Sequence, residues 1–103
     1  MVPMNELSRD VPIVVAGAGG FIGGHLVSAL SRRGFSEIHG IDIKPLDEWF
    51  QIDTACQNIR ADLRNRHTCF ELVPEESVVI NLAADMGGMG YNQISLENKL
   101  VPK

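Results

Sequence analysis

A chain of 103 residues, 45% hydrophobic and 21% charged, has the composition of one ordinary globular domain or of part of one. Its formal net charge of −4, spread without blocks of one sign, argues against general affinity for nucleic acid or anionic membrane surfaces. No apolar run approaches the about 18 residues that span a bilayer, and the first ten residues carry no secretory pattern.

The first residues form a polar lead-in. Residues 11–17, VPIVVAG, then contain the β-branched run Ile13, Val14 and Val15, as expected of a strand buried on both faces. FIGGHLVSALSRRG, residues 21–34, is expected to be helical. Ile22, Leu26 and Leu30 recur at i, i+4 and i+8, with Val27 and Ala29 on the same side. Arg32 and Arg33 suit the negative end of the helix dipole, and Gly34 is a natural residue just past the helix end.

EIHGID, residues 37–42, reads as a second strand ending in the carboxylate of Asp42. Residues 44–55 are irregular or a short helix opened by Pro45, with Trp49 and Phe50 read as a local packing patch. CQNIRAD, residues 56–62, is a short polar strand suited to a sheet edge. A weaker helical pattern over residues 63–73 carries Leu63, Phe70 and Val73, with Asn65 a candidate N-cap and Pro74 a stop. SVVINLAA, residues 77–84, is the fourth strand, and a further helix is expected over residues 91–100. Strands alternating with helices predict an α/β fold, a Rossmann-type doubly wound parallel sheet in the order 3-2-1-4. Residues 1–10 form the lead-in, and residues 11–103 the N-terminal portion of such a domain.

GAGGFIG places Gly17, Gly20 and Gly23 at G-x-x-G-x-x-G spacing, with an extra Gly19, between a buried strand and an amphipathic helix. Such a turn brings free amides and a helix dipole to a pyrophosphate. Gly17 makes the tight turn, Gly19 and Gly20 admit the phosphates, and Gly23 packs the helix on the strand. Asp42, nineteen positions past Gly23 (42 − 23), stands where a carboxylate binds the adenosine ribose and disfavours a 2′-phosphate. NAD is therefore expected over NADP, although Lys44 could pair with such a phosphate; the plainer reading of Asp42 is an exposed carboxylate at a strand end. Asp62 and Leu63, after the third strand, can accept the adenine amine and cover its ring, or Asp62 can cap the following helix.

A second glycine cluster, NLAADMGGMG, follows the fourth strand at residues 81–90. In the order 3-2-1-4 the first and fourth strands are neighbours, so the two clusters should face each other across one crevice. The second would then run beside the nicotinamide end, with Met86 and Met89 as adaptable walls. The alternative is a surface loop whose methionines tuck into the core.

Taken in order, VVAGAGGFIGGHL, Asp42, ADLR and NLAA resemble the extended short-chain dehydrogenase/reductases, the NAD-dependent epimerases and dehydratases of sugar nucleotides. The resemblance implies that Gly17, Gly20, Phe21, Ile22 and Gly23 hold the pyrophosphate of NAD and that Asp42 binds the ribose. It assigns Asp62 and Leu63 to the adenine, Ala83 and Ala84 to the nicotinamide side, and Gly87 and Met89 to the substrate, a nucleotide sugar. For the epimerases it implies transient hydride removal at the sugar's C4, which acidifies the neighbouring positions.

The family also uses a Tyr-x-x-x-Lys pair. Here Tyr91 is followed four residues on by Ser95, and Lys99 lies eight away, so no catalytic residue is expected in this chain. It is read as the dinucleotide-binding portion of a longer epimerase. A 4-epimerase, a 4,6-dehydratase or a non-catalytic NAD-binding module are the rival readings. His25, His39 and His67 are expected at surface or satisfied core positions, and Cys56 and Cys69 as free thiols in a reducing cytoplasm. No metal, nucleic acid or membrane partner is expected; self-association through the edge of the fourth strand is.

Overall fold

The computed structural model describes residues 7–83. The chain runs β1 (Ile13–Ala16), α1 (Phe21–Arg32), β2 (Ile38–Asp42), a 3-10 turn (Leu46–Glu48), β3 (Gln57–Arg60), α2 (Arg66–Leu72) and β4 (Val78–Asn81). The helix expected over residues 91–100 and the glycine loop from Ala84 onward lie outside the described residues.

The four strands form one parallel sheet in the order β3-β2-β1-β4, as the alternation of elements predicts. Ala16 is level with Ile41 of β2 and Asn81 of β4, so three strands end side by side along one rim. β1 is wholly buried because it has a strand on each side and a layer on each face. Ile13 and Val15 pack with Val27 and Leu30 of α1, Phe35, Ile38 and Trp49. Val14 and Ala16 pack on the opposite face with Ile41, Leu63, Cys69 and Val73. This strict alternation follows from the period of two along a strand. β3 is half-exposed along its length, as expected of a polar edge strand.

Helix α1 ends as its sequence predicts, with Gly34 at φ +91° just beyond the C-cap Arg33. Its buried face differs from the expected stripe. Gly23, Gly24, Val27 and Leu30 face the protein, while Ile22 is 68% exposed and Leu26 half-buried. The glycines bring the helix backbone itself against its neighbours. The contact line therefore passes through residues that a count of apolar side chains leaves out.

Asn65 caps α2, its Oδ1 accepting the Thr68 N–H at 3.0 Å. Trp49 is buried in the α1-side core and its indole N–H donates to the Lys44 carbonyl at 2.9 Å. Phe50 is exposed and meets Phe21 edge-on, with ring centroids 4.8 Å apart. Among the described residues, no helix is long and apolar enough to cross a membrane.

Candidate functional site

The site starts from the turn after β1. Gly17 adopts φ +90°, a conformation that a side chain strains. Its N–H and that of Ala18 both donate to the Ile41 carbonyl, at 2.8 and 3.2 Å, which fastens the turn to β2. On the other side Leu82 N–H donates to Ala16 at 2.8 Å. A Cβ on Gly17 would stand 2.8 Å from the Ala83 nitrogen, so the turn lies directly against the chain leaving β4.

The remaining glycines divide the labour differently from the sequence expectation. A Cβ on Gly23 would overlap the Gly17 carbonyl oxygen, which is the close helix–strand packing the motif predicts. Gly20 is the N-cap of α1 and has open space, its nearest neighbour to an added Cβ being 3.6 Å away. Gly19, expected to share the phosphate-facing role with Gly20, instead lies under Trp49 and Asp42. A Cβ there would come within 2.9 Å of Trp49 Cδ1, and the Gly19 N–H donates to Asp42 Oδ2 at 2.9 Å. The glycine is required by a side chain folded over the turn.

Gly24 N–H begins the α1 ladder by donating to the Gly20 carbonyl at 2.9 Å. The amides of Phe21, Ile22 and Gly23 have no acceptor among the described residues. Three adjacent donors at the positive end of a twelve-residue helix suit an anion, and no side chain caps them.

Asp42 is half-buried, so the plain exposed-carboxylate reading does not describe it. Besides the Gly19 contact, its Oδ1 accepts the Lys44 N–H at 3.0 Å. Phe50 N–H donates to the Gly19 carbonyl at 2.9 Å, so the segment after β2 is laced to the glycine turn. Asp62 does not cap α2, since Asn65 does. Its Oδ1 accepts from Arg64 Nε at 2.9 Å and from the Arg64 N–H at 3.0 Å, and its Oδ2 from Arg64 Nη2 at 3.0 Å. The Arg64 side chain, and next its backbone N–H, hold the Asp62 carboxyl below its ordinary pKa. Leu63 is buried in the α2-side core and presents only an edge.

A groove of about 410 Å³ crosses the C-terminal ends of the strands. Gly17 and Gly20 lie on it, with Asp42, Asp62 and Leu63 along one part and Ala83 also on its wall. Phe21, Ile22 and Gly23 line a smaller hollow that shares Gly17, Gly20 and Leu82 with it. Nine sequence-derived site residues thus meet in one groove or its continuation on the sheet rim. Ala84, Gly87 and Met89 lie outside the described residues.

Ile43, Arg64 and Leu82 also line the groove and were not singled out from the sequence. Ile43 and Leu82 directly follow the ends of β2 and β4, and Arg64 lies in the turn between β3 and α2; that position is the signal that points to them.

His39 is buried and pairs with Glu37 at 2.8 Å, exposed His67 lies 3.5 Å from Glu71, and exposed His25 meets Phe21 edge-on with ring centroids 4.6 Å apart. Cys56 and Cys69 are free thiols. Among the described residues, no group of three or more His, Cys, Asp or Glu is arranged to hold a metal.

Residues 13–98 match the family described as the NAD dependent epimerase/dehydratase family. Over 87 residues the chain is 39% identical to GDP-mannose 3,5-epimerase 1 of Oryza sativa subsp. indica and 38% identical to GDP-mannose 3,5-epimerase of Arabidopsis thaliana. Each match covers 84% of this chain and 22% of the relative, so the chain spans about a fifth of the length of these proteins.

Proposed function

The chain belongs to the NAD dependent epimerase/dehydratase family, and from that premise we propose that residues 11–103 are the N-terminal, dinucleotide-binding portion of a nucleotide-sugar epimerase acting on GDP-mannose or a close analogue. One observation supports this above the others. Three unpartnered amides and the open Gly20 face a groove whose opposite wall is the chain leaving β4.

The residues present fit a dinucleotide. The Phe21, Ile22 and Gly23 amides, with the α1 dipole behind them, hold the pyrophosphate, and Gly20 lets it approach. Asp42, already oriented by the Gly19 and Lys44 amides, accepts from the ribose and disfavours NADP. Asp62 and Leu63 receive the adenine. Ala83 and Ala84 border the nicotinamide, and Gly87 and Met89 contact the sugar nucleotide. Bound NAD supplies a reversible hydride acceptor, which in a 3,5-epimerase serves oxidation at the sugar's C4 so that protons at C3 and C5 can exchange.

This chain binds and orients; the sequence has no Tyr-x-x-x-Lys pair for proton transfer, so no turnover of GDP-mannose with NAD is expected from it. Two cysteines without a disulfide suit a reducing compartment such as the cytoplasm.

Trp49 offers the test, being the single tryptophan and lying against Gly19 beside Asp42. NAD should change its fluorescence saturably at up to millimolar concentration, and Gly20→Ala should move the titration to concentrations on the order of tenfold higher or more. A flat titration, or one that Gly20→Ala leaves unaltered, would overturn the proposal.

A further inference from the structure

We infer that Arg64 is a positioning residue for Asp62, leaving its carboxylate one acceptor site with which to select a 6-aminopurine over a 6-oxopurine in the bound dinucleotide. The inference rests on the proposed placement of the adenine beside Asp62 and Leu63.

A carboxylate offers about four acceptor positions. On Asp62, Oδ1 fills both of its positions with Arg64 Nε and the Arg64 N–H, and Oδ2 fills one with Arg64 Nη2. Among the described residues, one position on Oδ2 is left. Both Asp62 and Arg64 line the groove, next to Leu63.

The pair is built to fix direction. Its two side chains are 49% and 41% exposed, and an ion pair so open to water adds little stability. The fork of the guanidinium nevertheless locks both carboxylate oxygens in one plane. The turn beneath is held as well, since Asn65 N–H donates to the Asp62 carbonyl at 3.1 Å and Asn65 caps α2. An ionised carboxylate accepts hydrogen bonds and donates none, and the Arg64 side chain lowers the Asp62 pKa further below its ordinary value. A fixed acceptor attracts an exocyclic amine and repels a carbonyl in the same place.

The test titrates the full chain, by Trp49 fluorescence, with NAD and with nicotinamide hypoxanthine dinucleotide, which carries a carbonyl where NAD carries the amine. The wild type should prefer NAD on the order of tenfold. Arg64→Met should reduce the preference to about twofold or less, and so should Arg64→Lys, which keeps the charge but lacks the fork. Circular dichroism and melting of both variants should match the wild type, as an exposed pair predicts.

A wild-type ratio in Arg64→Met would refute the positioning role. If the wild type binds both dinucleotides equally, the adenine placement at Asp62 fails and the Arg64 inference with it, while the pyrophosphate assignment stands. If neither dinucleotide binds, the proposed function itself fails.

Discussion

Gly17 and Ala83 are in backbone contact across the rim of the sheet: a methyl group on Gly17 would stand 2.8 Å from the Ala83 nitrogen and 2.9 Å from the Leu82 carbonyl carbon. The turn after β1 and the segment after β4 are thus two walls of one crevice. Gly17→Ala should strain a residue at φ +90° and press on backbone that cannot rotate away. A loss of roughly 1–3 kcal/mol is expected from the conformation alone, with more from the overlap. Urea denaturation measures it; wild-type stability would mean that the two segments do not touch.

Gly20 and Gly23 should separate binding from folding. Gly23→Ala places a methyl group on the Gly17 carbonyl, so α1 must shift from the sheet and the midpoint of unfolding should fall clearly. Gly20→Ala meets nothing closer than 3.6 Å, so stability should change by less than about 1 kcal/mol. The same substitution fills the approach to the three free amides, and NAD affinity should drop on the order of tenfold or more. Paired denaturation and fluorescence titrations check both halves. Equal destabilisation by the two variants would contradict the division of roles.

Burial, and then the nearby Asp53 carboxylate, raise the Cys56 thiol above its ordinary pKa, with partial relief from a Ser31 hydrogen bond. A raised folded value means that the protonated thiol favours the folded state. Its contribution to stability is complete below the unfolded pKa and is lost as pH rises through the folded one. Cys56 should therefore alkylate slowly at neutral pH and faster only in alkaline buffer. Cys69, fully buried, should react only on unfolding. Mass spectrometry after timed iodoacetamide treatment follows both sites; rapid neutral labelling of Cys56 would contradict its environment.

β4 pairs with β1 on one side and, among the described residues, has no strand on the other. An open edge of N–H and C=O groups favours pairing with a second chain. Light scattering should show mass rising with concentration. A monomer across a wide concentration range would contradict association through this edge.

The sheet was legible because β1 and β4 are β-branched runs between turn residues, and α1 because glycines bracket it. Asn65 was readable as a cap for the same local reason. What escaped was set by contacts distant in the sequence. Nothing near Gly19 announces that Trp49 and Asp42 will close over it, since that requires β1 and β2 to pair first. The buried face of α1 was misplaced because Gly23 and Gly24 add packing without adding hydrophobicity. Arg64 carried no periodic signal; only its fork on Asp62 gives it a role.

The central claim is that the amides opening α1 receive the phosphates of NAD. Amide chemical shifts of the isotope-labelled 103-residue chain, followed while NAD is raised to millimolar concentration, test it most directly. Saturable shifts should centre on Gly20, Phe21, Ile22 and Gly23 and extend to Asp42, Asp62 and Ala83. Unchanged amides at positions 20–23 under those conditions, or shifts confined to another face of the sheet, would contradict it.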